Sequence, residues 1–200
     1  MNVEVRKIAR YDPTMGGKYT RYAGYCLSTQ FAIDPPLIGG AYEEVYGAVR
    51  TLKGNVVLHS SLLRGRQTAK YISKTRGVKS IKLPELNEIP FSLAQLVTED
   101  EYAKFGSNLV RERFIRAFED DSLLEKRADM QERVKGIYDF LRELDEQSVT
   151  LVSHSFFMKV LEATVENVPI FEEPSSLSVV LNPEQRTYPY GTGFNFTLNK

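Results

Sequence analysis

Two hundred residues with 26 basic and 26 acidic side chains make a formally neutral chain. That is long enough for one domain with a full core, and too evenly charged for a nucleic-acid footprint spread over the surface. No apolar run of about eighteen residues is present to cross a membrane, and Met1–Arg6 lacks an apolar signal core. The only cysteine, Cys26, excludes an intrachain disulfide, so the reducing cytoplasm is the expected location.

In chain order, Val3–Ala9 alternates apolar and polar residues and predicts a first strand, partly solvated. Pro13 ends it. Residues 12–37 read as a long loop with Gly16-Gly17, Gly24 and Pro35-Pro36 but no period. That loop carries Lys18, Arg21 and the tyrosines Tyr19, Tyr22 and Tyr25, which either lie over a site or decorate the surface. Apolar spacing at 42, 45, 46, 49 and 52 predicts a helix closed by Lys53-Gly54. Asn55–Leu58 reads as a buried strand. A helix capped by Ser60-Ser61 follows, then a short strand over Lys79–Leu83 and a Pro-flanked loop over Leu86–Phe91.

The capping box Thr98-Glu99-Asp100-Glu101 opens a helix to about Asp120. Another spans Ser122–Glu146, with Met130, Val134, Ile137, Leu141 and Leu144 on one stripe. Ser148–Ser153 is a strand, His154 stands at its exit, and Ser155 caps a helix to Val165. Ser175–Leu181 and Phe194–Leu198 are expected as an antiparallel pair of late strands, whose edge would serve a homodimer. Strands alternating with helices predict one α/β domain over residues 1–200. Its expected form is a three-layer sandwich with a mostly parallel central sheet flanked by helices.

The junction Val57–Tyr71 places His59, Ser60, Ser61 and Arg64 where a strand's carboxyl end meets a helix N-terminus. Open α/β sheets bind ligands along that edge, helix N-termini attract anions, and a guanidinium there suits phosphate or carboxylate. The segment Ser60-Ser61-Leu62-Leu63-Arg64-Gly65-Arg66-Gln67-Thr68-Ala69 resembles the Ser-x-Leu-x-Arg-x-x-Gln-Thr-Ala motif of the histidine phosphatase superfamily, the phosphoglycerate-mutase-like proteins. Val152-Ser153-His154-Ser155 resembles that family's second histidine motif, Leu86-Asn87-Glu88 its acidic loop, and Asp34-Pro35-Pro36-Leu37 the stretch before its first helix. These segments occur in family order, with family-like spacing, from residue 3 to about residue 165.

The resemblance implies a pocket for a phosphorylated small molecule or phosphopeptide, with no cofactor, metal, nucleic acid or membrane involved. Arg10 and Arg64 would bind the phosphate, His154 would hydrogen-bond a phosphoryl oxygen, and Glu88 would protonate the leaving oxygen. Phosphoryl transfer needs charge stabilisation and positioning more than covalent chemistry, and these side chains supply both. One motif departs from the family. Where its Arg-His-Gly places the histidine that is phosphorylated, this chain has Arg10-Tyr11-Asp12. A phenol with a reference pKa near ~10 is a poor nucleophile, and Asp12 adds negative charge near a site for dianions.

Four readings follow. A degenerate member binds a phosphomonoester, or serves as a catalytically inactive pseudophosphatase. An active phosphoric monoester hydrolase uses Tyr11, water, or His59, expected on the strand beside the first. His59, His154 and a carboxylate of Asp12 or Glu88 hold a metal. The tyrosine-rich stretch Lys18–Tyr25 contacts a protein partner.

Overall fold

The computed structural model describes residues 1–185 and 187–199. Its strands are β1 (Asn2–Lys7), β2 (Val56–His59), β3 (Lys79–Lys82), β4 (Ser148–Ser153) and β5 (Gly193–Thr197). They join in one sheet in the order β3-β2-β4-β1-β5. The first four run parallel, and β5 lies antiparallel on β1. The helices are α1 (Arg21–Thr29), α2 (Ala41–Thr51), α3 (Leu63–Arg76), α4 (Leu93–Leu96), α5 (Glu99–Glu119), α6 (Arg127–Glu143), α7 (Ser155–Val165) and α8 (Leu177–Val180).

Helices cover both faces because the interior strands are apolar on both. Val57 of β2 and Val152 of β4 pack with Val45 and Val49 of α2 and Ile72 of α3. Their neighbours Leu58 and Leu151 point the other way, into a larger cluster with Phe114 of α5, Ile137 of α6 and Phe157 of α7. The α6 stripe falls as expected, with Met130, Val134, Ile137 and Leu141 buried. So does the α5 start, where Thr98 and Glu101 make the capping box. Helix α5 is broken at Gly106, whose φ of 61° and ψ of −146° lie outside helical space.

Strand β1 is partly solvated as expected, at Asn2, Arg6 and Lys7, but its middle is closed: it lies inside the sheet, and even Glu4 is buried, accepting from Lys53 N, Gly54 N and Thr150 Oγ1 at 2.9, 3.1 and 3.0 Å. Several expectations are corrected. The 12–37 loop contains helix α1, capped by Thr20. Its buried residues are Gly24 and Ser28, so the inward face shows no apolar period. Helix α2 buries Ala41, Val45 and Val49, whereas Tyr42 and Tyr46 face outward and Tyr42 stacks on Tyr71 at 4.5 Å.

At the C-terminal end, Ser175–Leu181 is not a strand. Pro174–Ser176 makes a turn of 3-10 helix and runs into α8, with Leu177 buried. Only β5 remains as a late strand, and it pairs with β1. Strand β4 separates β2 from β1, so His59 is not beside the first strand. Among the described residues, no helix is long and apolar enough to cross a membrane.

Candidate functional site

The carboxyl ends of the adjacent parallel strands β1 and β4 deliver Arg10-Tyr11 and His154 to one edge of the sheet. A cavity of about 860 Å³ opens there. Of the six expected site residues, Arg10, Tyr11, Arg64, Glu88 and His154 border it, and His59 does not.

The corner between β4 and α7 is the most tightly bonded part of the cavity wall. His154 sits at the N-cap of α7, and its Nε2 lies 2.8 Å from Ser60 Oγ. Ser60 can come so close because residue 65 is glycine: a Cβ there would stand 2.1 Å from that hydroxyl. The α7 N-terminus is not capped by Ser155. Instead Glu88 reaches in from its loop and accepts from Phe157 N at 2.9 Å and Phe156 N at 3.3 Å, while also accepting from its neighbour Ile89 N at 3.1 Å. A carboxylate at a helix N-terminus satisfies orphan donors and meets the positive end of the helix dipole.

The Glu88 loop is itself anchored. Ser153 Oγ donates to Leu86 O at 2.8 Å, and Ser61 donates from N and Oγ to Asn87 Oδ1 at 2.8 and 2.9 Å. From α6, Arg133 donates to Glu85 O and Asn87 O at 3.1 and 2.8 Å, with its guanidinium 3.9 Å from the Phe157 ring centroid. Electrostatics in this corner favour neutral forms. Burial, then Arg64, Arg133 and Lys7, hold the His154 pKa well below the ordinary imidazole value. Burial raises the Glu88 pKa, opposed by its three backbone donors and Arg64.

The expected cap of Ser60-Ser61 does not hold for α3 either. Leu62 is its N-cap, and Asp34 from the preceding loop accepts from Leu63 N at 2.6 Å. Asp34 also accepts from Arg64 Nη1 at 3.3 Å. Arg64 is only 3 % exposed, and its Nε is buried with no hydrogen-bond partner. The rest of the motif ties α3 to its surroundings. Gln67 Oε1 accepts from Leu37 N at 2.8 Å, and Thr68 Oγ1 accepts from Ala9 N at 3.0 Å at the exit of β1.

At that exit the geometry is different. Tyr11 makes an isolated antiparallel bridge to Leu37, and its ring centroid lies 5.0 Å from Arg64 Cζ. Burial drives the phenol's pKa up, against the smaller lowering influence of Arg64, so the hydroxyl stays protonated. Arg10 is exposed, pairing with Glu44 at 2.7 Å and lying over the Tyr190 ring at 5.9 Å. Asp12 turns away into its own turn, accepting from Thr14 N at 2.8 Å and Gly16 N at 2.6 Å. The His59 ring donates through Nδ1 to Ser60 O at 2.8 Å. Burial lowers its pKa, with a further contribution from Arg66 and Lys82. Among the described residues no three His, Cys, Asp or Glu side chains gather as candidate metal ligands.

The cavity also gathers residues that sequence reasoning did not assign to it. Lys7 donates to Tyr188 O at 2.9 Å and lies 4.6 Å from the Tyr190 ring, its pKa lowered by burial to about 8. Tyr102 of α5 borders the cavity, as do Arg21 and Tyr25, two members of the stretch for which both a site and a surface position were open. Lys7 was hidden by strand alternation, and Tyr102 by an ordinary helical pattern.

A family model described as "Histidine phosphatase superfamily (branch 1)" matches residues 29–178. The sequence matches none of the curated proteins compared. Among solved structures, the fold is similar to the α-ribazole phosphatase from Shigella flexneri, at 18 % identity and a TM-score of 0.64 over 100 % of this chain and 92 % of that one. It is similar to the mycobacterial glucosyl-3-phosphoglycerate phosphatase, at 16 % identity and a TM-score of 0.59 over 87 % and 83 %. That phosphatase is also known complexed with VO3. A phosphoglycerate mutase from Bacillus anthracis gives 15 % identity and a TM-score of 0.53 over 84 % and 80 %.

Proposed function

Because the chain belongs to the histidine phosphatase superfamily, we propose that it binds a phosphomonoester between Arg64, Glu88 and His154 without passing the phosphoryl group to a protein side chain. The observation that carries this reading is Tyr11. At the position where the motif resemblance places the family's nucleophilic imidazole, this chain carries a phenol that lies against Arg64 and that burial holds protonated. A protonated phenol is a weak nucleophile unless an adjacent base takes its proton, and His59, the other imidazole, faces its own backbone neighbour outside the cavity.

What remains is an anion site. Arg64 is a buried guanidinium with one donor still unpartnered, and Lys7 and Arg10 add positive charge at the same cavity. His154 is neutral and acts as a hydrogen-bonding group rather than a cation. The ligand on this reading is a small phosphorylated molecule, the class named for the α-ribazole and glucosyl-3-phosphoglycerate phosphatases. One observation favours slow hydrolysis by water as a second reading. Burial moves Glu88 toward the protonated form that a leaving alkoxide requires.

Vanadate titrated into the protein should bind saturably by calorimetry, and Arg64→Ala should weaken it roughly ten- to hundredfold, the scale of a lost charge-assisted hydrogen bond. Incubation with a radiolabelled aryl phosphate should leave no phosphoprotein. A trapped phosphoenzyme would overturn the non-covalent reading. Vanadate binding that is equal in wild type and Arg64→Ala would overturn the pocket.

A further inference from the structure

Beyond the anion corner, the cavity is walled by rings. From Arg64 the contacts run outward through Tyr11 to Tyr25, edge-on at 6.4 Å between centroids, and from Tyr25 to Tyr102 at 6.2 Å. Arg21 lies over the Tyr25 ring at 5.8 Å. Phe91 and Phe156, edge-on to each other at 5.2 Å, also border the space. At about 860 Å³ the cavity is far larger than a phosphate group needs and falls in the range of sites for whole organic ligands.

Three of the hydroxyl groups bordering the cavity are engaged within the protein. Ser28 Oγ donates to Tyr25 O at 3.1 Å, and Thr29 Oγ1 donates to the same carbonyl at 2.9 Å. Ser107 Oγ accepts from Arg111 Nη1 at 3.2 Å, and that guanidinium is otherwise bonded to Pro183 O. A planar ring along this wall would meet the faces and edges of Tyr25, Tyr102, Phe91 and Phe156.

We propose that the ligand is a phosphomonoester carrying a planar aromatic ring, with the ring lodged at Tyr25 and Tyr102 and the phosphoryl group at Arg64; this rests on the anion-pocket reading above. The phosphate end supplies charge recognition, and the tyrosines select among phosphate esters. No bond is made or broken in this selection.

Calorimetry with three non-hydrolysable probes tests it on the full chain: methylphosphonate, benzylphosphonate and cyclohexylmethylphosphonate. The last two differ in aromaticity at nearly constant size. Benzylphosphonate should bind roughly two- to tenfold tighter than cyclohexylmethylphosphonate, the scale of one aromatic contact beyond area burial. That ratio should shrink toward one in Tyr25→Leu and in Tyr102→Leu. Equal affinities for the two ring probes in wild type would overturn the ring proposal while methylphosphonate binding upheld the anion pocket. A ratio unchanged in both variants would overturn the assignment to these tyrosines. If none of the three probes binds, both readings fall. The wild-type comparison decides even where a variant fails to fold.

Discussion

Two walls of the same cavity treat their polar groups in opposite ways. Where β4 meets α7, the site side chains are bonded to partners in the protein: His154 to Ser60, Glu88 to the α7 backbone, Ser153 to Leu86 O. At the exit of β1, Tyr11 rests on a guanidinium face, Arg10 leans out to Glu44, and Lys7 is taken up by Tyr188 O. One wall is held by hydrogen bonds that also hold the fold. The other is lined by aromatic and cationic side chains held by ring contacts, an ion pair to Glu44 and one bond from Lys7 to Tyr188 O. Residues of the first wall are thus doubly constrained, whereas the Tyr11 side chain rests on Arg64 through its ring alone.

The sharpest way to break that contrast is to remove Glu88. Glu88→Ala orphans Phe156 N, Phe157 N and Ile89 N at a buried helix start. It should destabilise the protein by about 3 kcal/mol, the scale of unsatisfied buried donors together with a lost helix cap. Urea unfolding measures this directly. A loss under about 0.5 kcal/mol, the level of an ordinary surface change, would mean that this wall is not structurally bound to its site.

Much of the contrast was legible in the sequence, and what was not has physical causes. The Ser60–Ala69 junction and the position of His154 could be read from a strand exit meeting a helix start, and Glu88 from the resemblance of its loop to the family's acidic segment. The capping partners could not, since Asp34 and Glu88 reach helices α3 and α7 from 29 and 69 residues away, and propensity points instead to the nearest serine. Helix α1 was concealed because a face built of Gly24 and Ser28 packs closely without showing apolar spacing. Pro174 and the β-branched Val179 and Val180 made Ser175–Leu181 read as an edge strand, but burial of Leu177 and Leu181 favours a helical turn against the core. The neighbour of β2 was misjudged because chain order does not give strand order when a later strand is inserted.

Gly65 offers a finer test of the first wall. Glycine is needed here for space, since a Cβ would collide with Ser60 Oγ, the atom that bonds His154. Gly65→Ala forces the hydroxyl aside and should destabilise the protein by about 1–2 kcal/mol, the usual scale of overpacking. Vanadate binding should also weaken, through the displaced His154. Ser60→Ala combined with Gly65→Ala removes the colliding atom and should recover part of the stability but not the binding. Recovery of both would show that the His154–Ser60 bond plays no part in holding the anion.

The smallest effect concerns protons. His154 is held well below the ordinary imidazole pKa by burial and by Arg64, Arg133 and Lys7, so the unfolded chain binds its proton more readily than the folded one. Such a group contributes stability that is fully present above its unfolded pKa, near ~6.5, and is lost as pH falls toward the folded value. Buried His59 acts in the same direction. Glu88 opposes both: its raised pKa contributes stability below the unfolded value of about 4.3, which is lost as pH rises through the folded pKa. The wild-type curve sums these contributions, so the difference from His154→Asn isolates one imidazole. Between about pH 7.5 and 5.5, wild type should lose up to about 1 kcal/mol relative to the variant, bounded by 1.36 kcal/mol per pH unit for one proton. Parallel urea midpoints across that window would place the depressed imidazole elsewhere and free His154 to carry charge onto a bound phosphate.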